Sequence, residues 1–205
     1  MNAYLALDTA TDRPTIALGT PADPGKNVVI PHRHDLSREI DAVVRDLLAQ
    51  RGLAGTQLSG LVVADGPGSF TGLRIGIAFA KGLARALGIP ILSAPSMLGA
   101  ARAASPGDGT VVVDYDALRG DVYRAAFRFE KNEVGTLMAP ALVRAGQEPD
   151  IAGTLRRASA DDASAAALLA LVGFEGGPTQ ITDPMSWEPS YGRPAEAEAR
   201  RLASK

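Results

Sequence analysis

No cysteine occurs among the 205 residues, which excludes a disulfide framework, a thiolate zinc site and a cysteine nucleophile. Two histidines, His32 and His34, leave little for imidazole chemistry. One Trp, four Tyr and five Phe are too few for a core of large rings. Apolar runs stay far below the roughly 20 residues of a membrane span, and the first residues carry no basic or long apolar leader, so the expected location is the cytoplasm, with no membrane partner. Charge of one sign is missing too. With 21 basic and 23 acidic residues the formal net charge is −2, too weak a field to hold a phosphate backbone unaided. Any RNA substrate would need the charge of a partner.

Glycine and proline are plentiful instead, at 22 and 14, which predicts many turns or close backbone approaches. With 46% hydrophobic and 21% charged residues, the chain has the composition of a soluble globular protein. Residues 4–7, 15–18 and 28–30 read as three short strands forming a meander, separated by turn residues around Pro14 and Pro21. From Leu36 the period becomes helical, with Ile40, Val43, Val44, Leu47 and Leu48 following and Gly52 as a stop signal. A buried strand over 60–64, a helix over 71–87, a strand over 89–93 and a helix over 96–104 complete an α/β alternation. Residues 104–109, Ala-Ser-Pro-Gly-Asp-Gly, read as a linker between an N-terminal unit, 1–104, and a smaller C-terminal unit, 105–205. The opening then repeats. A strand ending in Asp8 and a second ending at Leu18 are matched by a strand ending in Asp114 and a second over 122–129, with 137–143 as a third and 163–171 as a helix. Residues 147–162 are polar and carry no clear period. Two tandem units of this kind, each opened by a hairpin, predict the actin-like, ribonuclease-H-like architecture.

The most informative segment is Asp65-Gly66-Pro67-Gly68-Ser69-Phe70-Thr71-Gly72-Leu73-Arg74-Ile75-Gly76, between a buried strand and a helix. That is where phosphate loops sit. It lacks the Walker spacing, and it lacks the third glycine and downstream acid of a dinucleotide fingerprint. Pro67 also removes an amide donor. The segment therefore reads as a structural loop that caps the next helix through Ser69 or Thr71. Ser69 is not in a Gly-x-Ser-x-Gly elbow, which leaves a peptidase without a nucleophile and base. His32-Arg-His34 reads as solvated loop histidines rather than metal ligands.

Along the helix over 71–87, every fourth position from Gly72 through Gly76, Ala80, Ala84 and Gly88 is small, and Ile75, Phe79, Leu83 and Leu87 form a large apolar row beside it. Interior glycines at 72, 76 and 82 cost roughly 1 kcal/mol each relative to Ala, a cost that close backbone packing offsets. The expectation is a subunit interface formed by Gly72, Leu73, Gly76, Ile77, Ala80 and Ala84, together with Leu36, Ile40, Val44 and Leu47 of the preceding helix.

Gly66 to Gly76 resembles the signature block of the bacterial TsaB (YeaZ) family, and the likeness extends to Leu5-Ala-Leu-Asp-Thr9, to Lys81-Gly-Leu-Ala84 with Leu87-Gly-Ile-Pro90, to Asp116-Ala-Leu-Arg-Gly-Asp-Val-Tyr123 and to Pro189-Ser-Tyr-Gly-Arg193. Arg119 and Tyr123 match the family hairpin, whereas residues 185–189 have no obvious counterpart. The resemblance implies an actin-like fold of two ribonuclease-H-like halves. It implies a noncatalytic subunit whose first two helices pair with the catalytic paralogue TsaD, or with a second copy as a homodimer. The implied complex, joined by TsaE with ATP and magnesium, installs threonylcarbamoyl on adenosine 37 of tRNA. This chain would hold no firmly bound cofactor and meet tRNA only through the complex. TsaD has a pair of metal-binding histidines spaced by three residues that has no match here, and the turn after Asp8, Thr9-Ala-Thr11, lacks the glycines of an active actin-like ATPase. The alternative is a small actin-like ATPase in which Asp8 and Asp114 face magnesium together.

Overall fold

The computed structural model describes residues 2–31, 33–117 and 119–192. Two sheets are wired alike. In the first, β1 (Ala3–Asp8), β2 (Thr15–Gly19) and β3 (Val28–Val29) form an antiparallel meander, α1 (Leu36–Gln50) crosses over, and β4 (Leu58–Ala64) returns parallel to β1. Then α2 (Phe70–Leu87) leads to β5 (Ile91–Ala94), parallel to β4, and α3 (Ser96–Ala104) follows. In the second sheet β6 (Gly109–Asp116), β7 (Asp121–Glu130) and β8 (Glu133–Arg144) again form an antiparallel meander, and β9 (Leu155–Ser159) lies parallel to β6. After α4 (Ala165–Leu169), the short β10 (Thr179–Gln180) pairs with β5 at the edge of the first sheet. The orders are β10-β5-β4-β1-β2-β3 and β8-β7-β6-β9. This doubled plan is the actin-like fold read from the sequence.

Side-chain alternation along β1 sets the layers. Leu5 and Leu7 point with Ile16, Leu18, Leu61, Val63 and Ile91 toward α1 and α2, which answer with Leu36, Ile40, Val44, Leu47, Ile77, Ala80 and Ala84. The opposite face, with Ala6, Ala17, Val62 and Ala64, packs on α3 and α4. Those two helices in turn cover Val111, Val113, Tyr115, Phe127 and Phe129 of the second sheet. The layers therefore run helices, sheet, helices, sheet.

The sequence reading differs from the structure in the second half. Residues 147–162, which carried no clear period, contain β9. Its Leu-Arg-Arg-Ala-Ser sequence buries only Ala158, so hydrophobic alternation could not reveal a strand held mainly by its backbone pairing with β6. The helix expected over 163–171 is one short segment, capped where the Ser164 hydroxyl accepts from the Ala167 N–H at 3.0 Å. No helix joins β8 to β9, which makes the second unit the smaller one. Residues 179–187 lie against the first sheet and α2, and the segment at 191–192 also meets Tyr123 of β7.

Candidate functional site

The loop between β4 and α2 is built on close approach. The Ser69 hydroxyl caps α2 by accepting from the Gly72 N–H at 3.2 Å, and the Ser69 N–H donates to the Ala10 carbonyl at 2.6 Å. A Cβ on Gly68 would lie 2.1 Å from the Ala10 oxygen, one on Gly72 2.2 Å from the Thr9 carbonyl, and one on Gly76 2.2 Å from Thr9 Oγ1. Only glycine lets the loop and the first turns of α2 settle on the turn after β1. The loop thus spends its first hydrogen-bonding groups inside the chain, as expected of a structural cap.

Under that cover lies Asp8, 1% exposed. Its carboxylate accepts from the Ala10 N–H at 3.1 Å and from the Ser96 hydroxyl at 2.7 Å, and Ser96 Oγ stands 3.1 Å from the Tyr115 hydroxyl. Burial pushes the Asp8 pKa up against the lowering effect of those hydrogen bonds. Burial, and after it the neighbouring Asp8, pushes Tyr115 well up. Asp65 is also raised by burial, with Ser93 as its hydrogen-bond partner.

The alternative in which Asp8 and Asp114 face one magnesium ion does not fit the geometry. Val113 and Tyr115 point toward α3 and α4, so strand alternation turns Asp114 to the other side of the second sheet. There it grips Arg124 in a bidentate pair at 2.6 Å for both contacts, and Arg124 also donates to the Gln147 carbonyl. Arg124 is 3% exposed. It is the residue after Asp114, Tyr115, whose hydroxyl reaches Ser96 beside Asp8 from the second sheet.

The interface expectation needs a second correction. Gly72, Leu73, Gly76, Ile77, Ala80 and Ala84 are all buried in this chain, and so are Leu36, Ile40, Val44 and Leu47. The small row along α2 meets the chain's own Thr9 and first sheet, and buried side chains offer nothing to a partner. What α2 presents to solvent is Thr71, Arg74, Ala78, Gly82, Arg85 and Ala86, flanked by the half-buried Ile75, Phe79 and Lys81. Sequence reasoning missed that Ala78, Gly82 and Ala86 repeat every fourth residue as well. Two small rows run along one helix, and the sequence alone did not say which faced the sheet.

Along one edge of α2 runs the C-terminal strap, residues 181–192. Ile181 and Trp187 pack against the core under α1 and α2. Lys81 Nζ donates to the Met185 carbonyl at 3.2 Å, and the Ser190 N–H donates to the Asp65 carbonyl at 2.7 Å. At the start of the helix Phe70 and Tyr191 stack at 4.7 Å between centroids, the Arg74 guanidinium lies 4.2 Å above the Phe70 ring, and Arg74 Nε donates to the Tyr191 hydroxyl at 3.1 Å. Residues 185–189, to which no role was assigned from the sequence, belong to this strap. Tyr123 of the second hairpin reaches it through its hydroxyl, 3.4 Å from the Tyr191 carbonyl. Arg119 is exposed at that hairpin's tip. Of the remaining motif-loop positions, Gly66 and Pro67 are buried beneath the strap and Phe70 is 44% exposed. His34 is exposed, while His32 and Arg193 lie outside the described residues. Among the described residues no three His, Asp or Glu gather as a metal site, and no helix is long and apolar enough to cross a membrane.

A doubled sheet plan, a glycine-built loop closing over the first hairpin and a buried lone carboxylate define a protein of the actin-like class with its hairpin turn sealed. A family model described as TsaD, tRNA N6-adenosine threonylcarbamoyltransferase, matches residues 29–166. The chain is similar to the "tRNA threonylcarbamoyladenosine biosynthesis protein TsaB" of Escherichia coli, 33% identical over 133 residues that make up 63% of this chain and 57% of that protein. It is also similar to the protein of the same name from Bacillus subtilis, 41% identical over 87 residues, 42% of this chain and 38% of that one. The solved structure of YeaZ from Pseudomonas aeruginosa superposes with a TM-score of 0.76 at 26% identity, covering 93% of this chain and all of that one. The chain belongs to the TsaB (YeaZ) family. The sequence matches span at most about half the length of these two curated relatives.

Proposed function

We propose that this chain acts in making threonylcarbamoyladenosine on tRNA, as a noncatalytic subunit that pairs through the outward face of α2 with a TsaD-type transferase paralogue. The names of its relatives support the pathway. One observation carries the pairing. A Cβ built on Gly82 meets nothing within 4 Å, so the roughly 1 kcal/mol that an interior helix glycine costs is offset by no contact inside the chain. Gly72 and Gly76 repay theirs by closing on Thr9, whereas a second helix backbone lying along Ala78, Gly82 and Ala86 would repay that of Gly82. The half-buried Ile75 and Phe79 would add apolar area to such a contact.

The noncatalytic reading rests on the two aspartates. Asp8 is sealed beneath Thr9, Ala10 and the Ser69 loop, and Asp114 is neutralised by Arg124 on the far side of its sheet. ATP, magnesium and a TsaE-type ATPase then act in the assembled complex, tRNA is met there too, and the complex works in the cytoplasm.

Co-expression with the TsaD-type paralogue tests the reading. Gly82→Leu is expected to keep the wild-type melting temperature within a few degrees and to lose co-purification of the transferase. Retention of the transferase by Gly82→Leu would reject the α2 interface.

A further inference from the structure

The two sheets are alike in plan but not in cover. Opposite the shared layer of α3 and α4, the first sheet carries α1 and α2, whereas the second has no helix between β8 and β9. Residues 145–154 connect those strands instead, and a cleft of about 380 Å³ opens between them and β8, a volume within the range of ligand sites. Register puts Met138 opposite Ala126 and Val143 opposite Val122, on the same side of the sheet as Arg124. Leu137, Met138 and Val143 form one wall, Pro149 and Ile151 the other, with Arg124 between them. Leu137 is 40% exposed, and β8 carries no charge across 134–143.

Arg124 is buried yet not fully used. Its guanidinium has five N–H donors; two go to the Asp114 carboxylate and one to the Gln147 carbonyl, which leaves two without an acceptor among the described residues. Buried donors of this kind call for an acceptor. An anion is disfavoured there, because Asp114 already balances Arg124 and the exposed Glu148 and Asp150 also line the cleft. Glu148 is paired with Arg157, whereas Asp150 has no cation against it among the described residues. We infer that this cleft is a docking site for an extended, apolar and basic peptide segment of another protein. A main-chain carbonyl of the segment takes the spare Arg124 donors, an apolar side chain fills the space between β8 and Ile151, and a lysine or arginine meets Asp150. One extended strand supplies all three groups, since its residues follow at about 3.3 Å and their side chains leave it on alternate sides. The site is separate from the α2 pairing proposed above and stands or falls without it.

The test displays random short peptides on phage, depletes them on a Leu137→Glu/Ile151→Glu variant and selects the remainder on the full wild-type chain. The variant is first checked for folding by circular-dichroism melting, and Ile151→Lys alone replaces it for depletion if it does not fold. The peptides retained are expected to carry an apolar residue beside Lys or Arg. Asp150→Lys is expected to weaken the tightest of them about tenfold or more at about 50 mM salt, with the loss shrinking at about 500 mM. Asp114→Leu/Arg124→Met removes the spare donors without changing the net charge, and is expected to weaken the same peptide about tenfold at either salt. Failure to retain any peptide that separates wild type from the depleting variant overturns the site. Retention of acidic peptides, or equal binding by Asp150→Lys, overturns the basic partner, and equal binding by Asp114→Leu/Arg124→Met overturns the carbonyl contact to Arg124. Self-association of wild type in sedimentation that Leu137→Glu/Ile151→Glu abolishes assigns the cleft to a second copy and overturns the peptide reading.

Discussion

Gly76 on α2 stands against Thr9 so closely that a Cβ would fall 2.2 Å from Thr9 Oγ1. The same helix, six residues later, turns Gly82 to open space. Opposite responses to the same substitution follow from this contrast. Gly76→Ala is expected to lower stability by about 1–3 kcal/mol through overpacking, and Gly72→Ala, aimed at the rigid Thr9 carbonyl, by at least as much. Gly82→Ala is expected to raise stability by about 0.5–1 kcal/mol. Urea denaturation of the three variants checks the signs, and a destabilised Gly82→Ala would contradict the open environment.

Asp8 carries a pH signature. Its folded pKa is raised by burial, so between the ordinary carboxylate range and that raised value the folded state binds more protons than the unfolded one, and stability falls as pH rises. Asn can accept the same hydrogen bonds from Ala10 and Ser96 without charge. Asp8→Asn is therefore expected to melt higher than wild type at pH 7–8, with the gain shrinking as pH drops toward 4. A gain unchanged across that range would show that charge is not its source.

Arg124 and Asp114 predict a non-additive pair. Asp114→Ala strands a buried guanidinium, a loss of about 3–5 kcal/mol for a fully buried pair, reduced here because the Asp114 side chain is 30% exposed. Arg124→Met combined with Asp114→Leu removes both charges and is expected to recover most of that loss. Thermal melts of Asp114→Leu, Arg124→Met and the double variant give the coupling directly.

The sealed turn after β1 bears on nucleotide binding. Because Asp8 is buried and Asp114 faces away, the isolated chain is expected to give no heat of micromolar binding when titrated with Mg-ATP. Calorimetry showing such binding, abolished by Asp8→Ala, would restore the ATPase alternative.

The strap offers a fluorescence test, since Trp187 is the sole tryptophan. Tyr191→Ala removes the ring on Phe70 and the acceptor of Arg74, contacts worth about 0.5–1 kcal/mol at an exposed site. Red-shifted Trp187 emission and faster cleavage within 181–192, with the global melting temperature nearly unchanged, are expected.

Local pattern made most of the fold legible. The helical spacing from Leu36 to Leu48, the apolar strands around Val62 and Val112 and the Ser69 cap each announce an element whose reason is short-range: a period, a propensity or a capping hydroxyl. The doubled plan was legible for the same reason, because both units open with the same strand and turn. β9 was not, since a strand of arginines owes its place to β6, far off in the chain. The family was readable in one ungapped block, yet the block's purpose was not: Gly68, Gly72 and Gly76 answer to Thr9 and Ala10, more than fifty positions earlier, and Gly66 to Ser190, far later.

The sequence by itself determined an α/β chain of two like units, poor in groups for catalysis and furnished with a helix lined by small residues. Only the tertiary structure decided which row of that helix was spent inside. A helix must give one side to its sheet, and both rows were small enough to do so; the turn after β1 took Gly72 and Gly76 and left Ala78, Gly82 and the cations outside. It decided likewise that Asp8 and Asp114, alike in the sequence, look to opposite sides, because a one-residue difference along a strand reverses the face a side chain occupies.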